Sequence, residues 1–224
     1  MSSIRQASGS QVSTWRPRVQ VAFEHYHAGY DDWDKWITYF WSIRNVCDRN
    51  LRAVLEVGVG SKVVSNYLRN RDIELTTLDI DPALEPDHIG SVTEMPFDDE
   101  TFDAVVCTEV LEHMPWEYTR RAIGEIHRVT RRWAFVTVPH FTLSLALLVR
   151  LPVLHLHEFR LRLPWPRPLQ SFGQHFWECG RPGYPVARLR RAFRRAGFAI
   201  VSEKRPPTQY SSCFFVLEKR GAGR

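Results

Sequence analysis

A glutamate and two glycines follow an apolar run in the segment VLEVGVGSKVV, residues 54–64. Gly58 and Gly60 let the backbone approach a ligand closely and adopt positive φ angles. A dinucleotide-binding loop would carry a third glycine inside the following helix, but Val63 stands at that position. Glu56, which leads the loop, would also repel a phosphate. The segment therefore favours a ligand other than a dinucleotide.

More acidic side chains follow the later apolar runs. Asp79 lies 21 residues beyond Gly58, where a carboxylate can accept hydrogen bonds from both hydroxyls of a ribose. Asp81, Glu109 and Glu112 add further negative charge after such runs. Together these residues favour a ligand that has a ribose and a positive charge but no phosphate. S-adenosylmethionine, whose sulfonium and ammonium groups are cationic, fits that description.

Strand-like and helical patterns alternate in the middle of the chain. Short apolar runs at 53–57, 75–79, 104–108 and 133–138 have the length of buried strands, and helical patterns separate them. Ser61 could cap the first of these helices. The alternation predicts an α/β fold with a parallel sheet and helices on both faces. Because ligands of such sheets bind at the carboxyl ends of the strands, we expect the glycines and acids to meet at one edge.

The regions on either side depart from this pattern. Residues 1–49 are predicted to form a tail and a cap helix that packs on the core through one apolar face. That face comprises Trp33, Trp36, Ile37, Phe40 and Trp41. Residues 140–184, rich in proline and histidine, are predicted to form a lid or binding loop. Two strand-like runs near the end, 198–202 and 213–218, have no crossover helix between them and predict an antiparallel pair.

The net charge of +5 hides a strong asymmetry. Residues 1–118 contain 10 Lys and Arg against 20 Asp and Glu, whereas residues 119–224 contain 20 against 5. A basic half can bind nucleic acid, an anionic membrane or an acidic substrate. Arginine can equally be the ordinary surface residue of the chain, so the asymmetry alone does not choose among these interpretations.

Cysteine usage and hydropathy argue against several classes of protein. The four cysteines form no CxxC pair, so neither a zinc site nor a disulfide framework is indicated, and no metal site is predicted. No apolar signal core stands at the start of the sequence. The longest apolar run, 141–149, is too short to span a bilayer. We therefore expect a cytoplasmic protein without a transmembrane segment.

Several segments together resemble the class I S-adenosylmethionine-dependent methyltransferases, and most closely the subgroup called type 11. They are VLEVGVGS, LTTLDIDP, GSVTEMPFDDETFDAVVCTEVLEH and FVTVP, with RLRRAFRRAGF before the last two strand-like runs. The resemblance covers residues 50–140 and 185–218 and implies a Rossmann-like fold. That fold has a mostly parallel seven-stranded sheet with an antiparallel last strand and helices on both faces. The resemblance also implies a methyltransferase domain over residues 50–224 and S-adenosylmethionine as cofactor.

The resemblance assigns roles to individual residues. It places the methionine part of the cofactor against the loop of Glu56, Gly58 and Gly60, and the ribose against Asp79. Around the adenine and the methyl group it implies contacts from Ile80, Ser91, Val92, Thr93, Thr108 and Glu109.

Two positions depart from the family. Lys62 stands where the family's loop has a third glycine, so its side chain must point away from the cofactor. Ser91 replaces an acid that accepts a hydrogen bond from the adenine amino group, and a hydroxyl is a weaker acceptor than a carboxylate. Asp87 or Glu94 could supply that acceptor instead.

A hydroxyl or ammonium acceptor needs a base that removes its proton. His140 is the preferred candidate because it directly follows a strand end. The other candidates are His113, His175 and Glu109. The residues that could close over the cofactor are His25, Tyr26, His27 and Tyr30.

The acceptor can be interpreted in more than one way. The mixture of apolar and aromatic residues in the lid favours a small molecule, such as a natural product, a sugar or a lipid-like compound, methylated on O or N. The alternative is an RNA or protein methyltransferase that uses the basic C-terminal half. A catalytically silent scaffold is a third hypothesis, which the intact cofactor loop disfavours.

Overall fold

The structure is a computed structural model that describes residues 15–21, 23–26, 29–141, 143–149, 157–163, 174–205 and 211–221. Its helices are α1 Trp33–Cys47, α2 Val63–Arg69, α3 Trp116–Val129 and α4 Val186–Arg195. Its strands are β1 Ala53–Val57, β2 Glu74–Asp79, β3 His88–Ile89, β4 Phe102–Thr108, β5 Thr130–Pro139, β6 Leu143–Val149, β7 His157–Leu163, β8 Phe198–Lys204 and β9 Ser212–Lys219. Short 3-10 helices lie at Phe23–Tyr26, Pro82–Leu84 and Leu111–His113.

Seven strands form one sheet in the order β3-β2-β1-β4-β5-β9-β8. The pairs from β3 to β5 are parallel, whereas β9 runs antiparallel to both of its neighbours. The strand order reverses between β1 and β4, so the crevice beyond the carboxyl ends of these two strands is the expected ligand site. The predicted sheet, its antiparallel last strand and the antiparallel pair near the C-terminus are confirmed.

Helices cover both faces of the sheet and create two apolar cores. On one face α3 buries Ala122, Ile126 and Val129 completely or nearly so against strand residues such as Val105. The buried residues of the other core come from α1, α2 and the strands, among them Val46, Leu68 and Phe135. Strands that are buried on both faces explain why the sequence shows short, continuous apolar runs.

The predicted packing face of α1 is confirmed at Trp41, which packs against the core with its ring centroid 5.0 Å from that of Phe214, but it is wrong at three other positions. Trp33, Trp36 and Phe40 are exposed, with 69%, 52% and 61% of their surface accessible. Instead, α1 buries Thr38, Tyr39, Ser42 and Val46. Hydrogen bonds make this polar face compatible with burial: Thr38 Oγ1 donates to the Asp34 carbonyl at 3.0 Å, and Ser42 Oγ lies 3.2 Å from Thr108 Oγ1.

The predicted lid at 140–184 lies partly outside the described residues. The described parts are the backbone of a β6–β7 antiparallel hairpin, which is separate from the main sheet, and the segment 174–184. Trp177 anchors that segment because its side chain is only 1% exposed and its Nε1 donates to Thr119 Oγ1 at 2.9 Å. Among the residues that the structure describes, none of the helices is both long and apolar enough to cross a membrane.

Candidate active site

A deep cavity opens at the carboxyl ends of β1, β2 and β4, where the strand order predicts a ligand site. It encloses about 1120 Å³ of empty space, counted out to its open mouth. Most of the site residues expected from the sequence line it: Glu56, Gly58, Gly60, Asp79, Ile80, Ser91, Val92, Thr108, Glu109 and His113. Thr93 lies behind this wall, where its Oγ1 is 2.9 Å from Ser91 Oγ.

The loop after β1 requires its glycines. Gly58 has a φ of 81°, and a Cβ built on it would lie 2.4 Å from Cγ2 of Val110. The Gly58 amide donates to the Leu78 carbonyl at 2.9 Å and so fixes the turn against β2. Gly60 has a φ of 47°. Bare backbone therefore faces the cavity along this turn, which leaves room for a ligand to approach closely.

Lys62 adopts the left-handed conformation that the family's third glycine would tolerate, with φ 61° and ψ 14°. Its Nζ lies 3.2 Å from Oε2 of Glu85, and Lys62 does not line the cavity, as the sequence required. The predicted helix cap is wrong, because Lys62 rather than Ser61 precedes α2 and no side chain caps the helix. Ser61 Oγ instead lies 2.9 Å from the hydroxyl of Tyr39.

Two carboxyl groups dominate the electrostatics of the cofactor side. Asp79 accepts hydrogen bonds from the amides of Val59 and Asp81, both at 2.9 Å. Burial raises the pKa of Asp79, although these two hydrogen bonds oppose the shift. Burial also raises the pKa of Glu56 to about 8. Within the described residues Glu56 Oε2 has no hydrogen-bond partner, and a cationic ligand beside it would favour the ionised carboxylate and lower this pKa.

The two residues suggested as replacements for the acid at position 91 are engaged elsewhere. Asp87 accepts from Thr77 and pairs with Arg69 Nη2 at 2.8 and 2.9 Å. Glu94 is exposed and pairs with Arg121 at 2.9 Å. Neither lines the cavity. Ser91 therefore remains the side chain of this segment that can meet the adenine edge.

The N-terminal segment covers the cavity, a contribution that the sequence analysis missed. Trp15 and residues 17–21 line it, and Gln20 Nε2 donates to the carbonyl of His113. Tyr26 and Tyr30, which were expected to close over the cofactor, also line it, and their ring centroids lie 4.9 Å apart. His27 lies outside the described residues. The aromatic residues that precede α1, such as Tyr26 and Tyr30, were the feature of the sequence that could have indicated this cover.

Glu109 and Lys35 lie on the remaining wall of the cavity. Glu109 follows β4 with a φ of 53°, an unusual conformation for a residue with a side chain. Its Oε1 is buried and has no hydrogen-bond partner among the described residues. Burial lowers the pKa of Lys35, but the charges of Glu109 and Tyr30 outweigh that effect and raise it. Lys35 therefore carries a positive charge beside Glu109.

The three histidine candidates for the base occupy different places. His113 lines the cavity, but burial and the nearby His175 lower its pKa to about 4, so it is a weak base. His175 lies beside it, with ring centroids 4.9 Å apart, and does not line the cavity. His140 is also outside the cavity wall: it is only 7% exposed, and its Nε2 lies 3.3 Å from Arg205 Nη1.

The sequence of the strand-rich core matches a known family. Residues 55–137 match the model of a family described as "Methyltransferase domain", type 11. The sheet order, the glycine loop and the acid after β2 agree with that match. Residues 55–137 therefore form a methyltransferase domain of this family. The expected family, fold and cofactor are thereby confirmed.

Solved structures of other methyltransferases share this fold at low sequence identity. The sugar N-methyltransferase KedS8 from Streptoalloteichus sp ATCC 53650 is 14% identical with a TM-score of 0.60, over 96% of this chain and 99% of that one. The N-methyltransferase NodS from Bradyrhizobium japonicum WM9, in complex with S-adenosylhomocysteine, is 12% identical with a TM-score of 0.59, over 88% and 96%.

A third similar structure is the 1,6-didemethyltoxoflavin-N1-methyltransferase from Burkholderia thailandensis, with bound S-adenosylhomocysteine and 1,6-didemethyltoxoflavin. It is 15% identical with a TM-score of 0.58, over 88% of this chain and 84% of that one. At such identities the likeness establishes the fold and leaves the acceptor open. No curated protein sequence matches the chain.

Proposed function

We propose that this methyltransferase acts on an oxygen or nitrogen atom of a small molecule, such as a natural product, a sugar or a lipid-like compound. The observation that carries this proposal is the cover over the cavity. Residues 17–21 and the rings of Trp15, Tyr26 and Tyr30 line it together with the cofactor loop. A cavity that is partly covered in this way suits an acceptor small enough to fit beside the cofactor.

The residues of the cavity fit S-adenosylmethionine. The turn of Gly58 and Gly60 leaves room for the methionine part, and Asp79 can accept from the ribose hydroxyls. The buried Glu56 carboxyl matches a cationic group of the ligand. When bound, the cofactor supplies an activated methyl group. The task of the protein is then to hold the acceptor in line with that group and to exclude water.

We assign the removal of the acceptor proton to Glu109. Its Oε1 is buried, has no hydrogen-bond partner among the described residues and belongs to a residue of the cavity wall. Lys35, on the same wall, can donate a hydrogen bond to the acceptor. Glu109 is preferred to His140 because His140 does not line the cavity, and to His113 because Nδ1 of that imidazole is engaged by the Gln174 carbonyl at 2.9 Å.

Two proteins of similar structure support a small acceptor. The sugar N-methyltransferase KedS8 and the N1-methyltransferase of 1,6-didemethyltoxoflavin are both named for small substrates. The alignment with KedS8 covers nearly the whole of both chains.

Transfer of a labelled methyl group tests the acceptor class. The protein is incubated with radiolabelled S-adenosylmethionine and an extract of its source cells, divided into a small-molecule filtrate and a macromolecular fraction. We expect label to enter the filtrate in a protein-dependent way. Label that enters only RNA or protein would refute the proposal.

Two variants test the assignment of the base. Glu109→Gln should retain binding of S-adenosylhomocysteine but lose methyl transfer, because the amide cannot take a proton. Glu94→Gln is the matched control, since Glu94 is exposed and lies outside the cavity. Full transfer by Glu109→Gln would show that another group removes the proton.

A further inference from the structure

A second polar cluster lies at one end of the cavity. Glu112, His113 and His175 each present a ligand-type atom, and these three atoms lie within 4.8 Å of one another. His113 belongs to the cavity wall, whereas Glu112 is completely buried beneath it. Nε2 of His113 lies 3.8 Å from Oε1 of Glu112. The cluster is distinct from the loop and the acids that hold the cofactor.

The buried carboxyl group of Glu112 lacks hydrogen-bond partners among the described residues. Neither carboxylate oxygen has a hydrogen-bond partner within the part of the chain that the structure describes, although the residue is 0% exposed. A buried carboxyl without hydrogen bonds is costly, and native proteins avoid it unless an ion, a water or a function compensates. The two imidazoles beside Glu112 can share the coordination of such an ion with it.

Hydrogen bonds orient both imidazoles as metal ligands are oriented. Nδ1 of His113 lies 2.9 Å from the carbonyl oxygen of Gln174, and Nδ1 of His175 lies 2.9 Å from Oε1 of Glu178. Metal-binding histidines usually donate one ring N–H to a carbonyl or a carboxylate, which fixes the tautomer and directs the other nitrogen to the metal. Both rings have such a partner at Nδ1, and Nε2 is the nitrogen of His113 that lies nearer Glu112.

The fold brings these residues together from two segments that are distant in the sequence. Glu112 and His113 belong to the 3-10 helix after β4, and His175 belongs to the segment 174–184. The Phe176 amide donates to the Glu112 carbonyl at 2.8 Å, and the Trp177 indole donates to the Leu111 carbonyl at 3.1 Å. These bonds hold His175 beside Glu112 independently of any contact between the side chains of the cluster.

We propose that Glu112, His113 and His175 form a binding site for a divalent transition-metal cation. Two imidazoles and one carboxylate are a typical ligand set for Zn²⁺, Mn²⁺, Co²⁺ or Fe²⁺, and leave coordination positions open. Bound ligands lie about 2.0–2.2 Å from such a cation, so the cluster contracts by roughly 1 Å when it fills.

The cation would lie close to the proposed position of the acceptor, because His113 and the proposed base Glu109 both line the cavity. There it can bind an oxygen atom of the acceptor, orient it and lower the pKa of its hydroxyl. This role rests on the proposed function and favours an oxygen acceptor, whereas binding of the cation does not depend on it. Metal binding and cofactor binding can therefore be tested separately.

Isothermal titration calorimetry on the full chain tests the site. Chelator-treated protein is titrated with Mn²⁺, Co²⁺ and Zn²⁺ in turn, and separately with S-adenosylhomocysteine. We expect one equivalent of at least one cation to bind. Wild-type protein that binds S-adenosylhomocysteine but none of the three cations would overturn the metal site and leave the proposed function intact. Failure to bind S-adenosylhomocysteine would instead contradict the proposed function.

Two variants locate the bound cation. Glu112→Gln and His175→Ala should each weaken cation binding at least about tenfold, the usual loss when a metal site is disturbed. His175 is partly exposed, so its variant is expected to fold even if Glu112→Gln does not. His88→Ala and Glu94→Gln, outside the cavity, are controls that should bind as the wild type does. Unchanged affinity in folded His175→Ala protein would overturn the proposal.

Discussion

Asp79 is prepared for its ligand by the backbone around it. The amides of Val59 and Asp81 each donate a hydrogen bond to one carboxylate oxygen of Asp79. These two bonds fix the orientation of the carboxylate and therefore of the lone pairs that can still accept a hydrogen bond. Burial of this carboxylate is unfavourable, as its raised pKa indicates. This free-energy cost arises when the protein folds and not when a ligand binds. The ribose contact that we propose for Asp79 would therefore use a fixed acceptor, so that little side-chain entropy is lost on binding.

Replacement of Asp79 tests the ribose assignment. Asp79→Asn should weaken binding of S-adenosylhomocysteine by about 1–3 kcal/mol, because a charged acceptor is lost. Asp81→Asn makes the same charge change two residues away, where Oδ1 accepts from the Ala83 amide, and should have a smaller effect. Calorimetric titration of both variants provides the comparison. If both variants lost the same binding free energy, the negative charge of the loop as a whole, and not a contact between Asp79 and the ribose, would explain the weaker binding.

Glu56 should make the stability of the protein depend on pH. Burial raises its pKa from 4.5 to about 8, so the folded chain keeps a proton that the unfolded chain has lost above pH 4.5. The stabilisation is therefore complete below pH 4.5 and is lost as the pH rises through about 8. We expect the free energy of unfolding of the wild type to fall relative to that of Glu56→Gln between pH 6 and pH 9, an interval around that pKa. Parallel curves from urea denaturation would contradict the shift.

Secondary-structure elements were predictable where periodicity had a physical cause. Buried parallel strands require continuous apolar runs, so β1, β2, β4 and β5 were visible in the sequence. The glycine loop and Asp79 were visible because their roles need particular residue types. The packing face of α1 was not, because its polar residues are buried through hydrogen bonds while Trp33 and Trp36 are exposed.

The rest of the site depends on contacts between distant segments. The cover formed by residues 17–21 has no periodic pattern, and its position follows from long-range contacts such as that of Gln20 with the His113 carbonyl. Likewise, no spacing rule connects Glu112 to His175, which a buried Trp177 brings into place. Sequence spacing cannot reveal such pairs when the elements that join them are irregular.

The start of α2 offers a test of backbone strain. Lys62 adopts a left-handed conformation, which costs a residue with a Cβ about 1–2 kcal/mol relative to glycine. Lys62→Gly and Lys62→Ala both remove the contact of Nζ with Glu85, but only glycine relieves the backbone. We expect Lys62→Gly to be about 1 kcal/mol more stable than Lys62→Ala in urea denaturation. Equal stabilities would mean that the turn relaxes around alanine.

Across the whole molecule, folding mixes the acidic and basic halves of the chain. Arg121 pairs with Glu94, Arg131 with Asp103, and Lys219 with Glu100, each at 2.9–3.1 Å. Exposed pairs of this kind contribute little stability, but each places a carboxylate beside a cation. Carboxylates of the first half therefore neutralise part of the positive charge of the second half.

Helix α4, the most arginine-rich element, is partly engaged in the same way. Arg190 donates to both carboxylate oxygens of Glu203, at 2.6 and 2.8 Å. The guanidinium of Arg188 lies over the rings of Trp116 and Tyr184, at 4.4 and 4.7 Å from their centroids. A guanidinium in such contacts loses part of its capacity to bind a phosphate. Two of the five arginines of α4 are thus partly engaged within the protein.

This distribution of charge predicts weak and non-specific binding of RNA. At about 0.15 M salt, single-stranded RNA should bind no more tightly than about 10⁻⁶ M, the range of non-specific electrostatic association. Arg191→Glu, on α4, should lower that affinity without changing methyl transfer to a small acceptor, because Arg191 lies outside the cavity. Fluorescence anisotropy with labelled RNA at several salt concentrations measures the affinity. Tighter binding that Arg191→Glu abolishes together with methyl transfer would instead identify α4 as a substrate-binding surface and RNA as the acceptor.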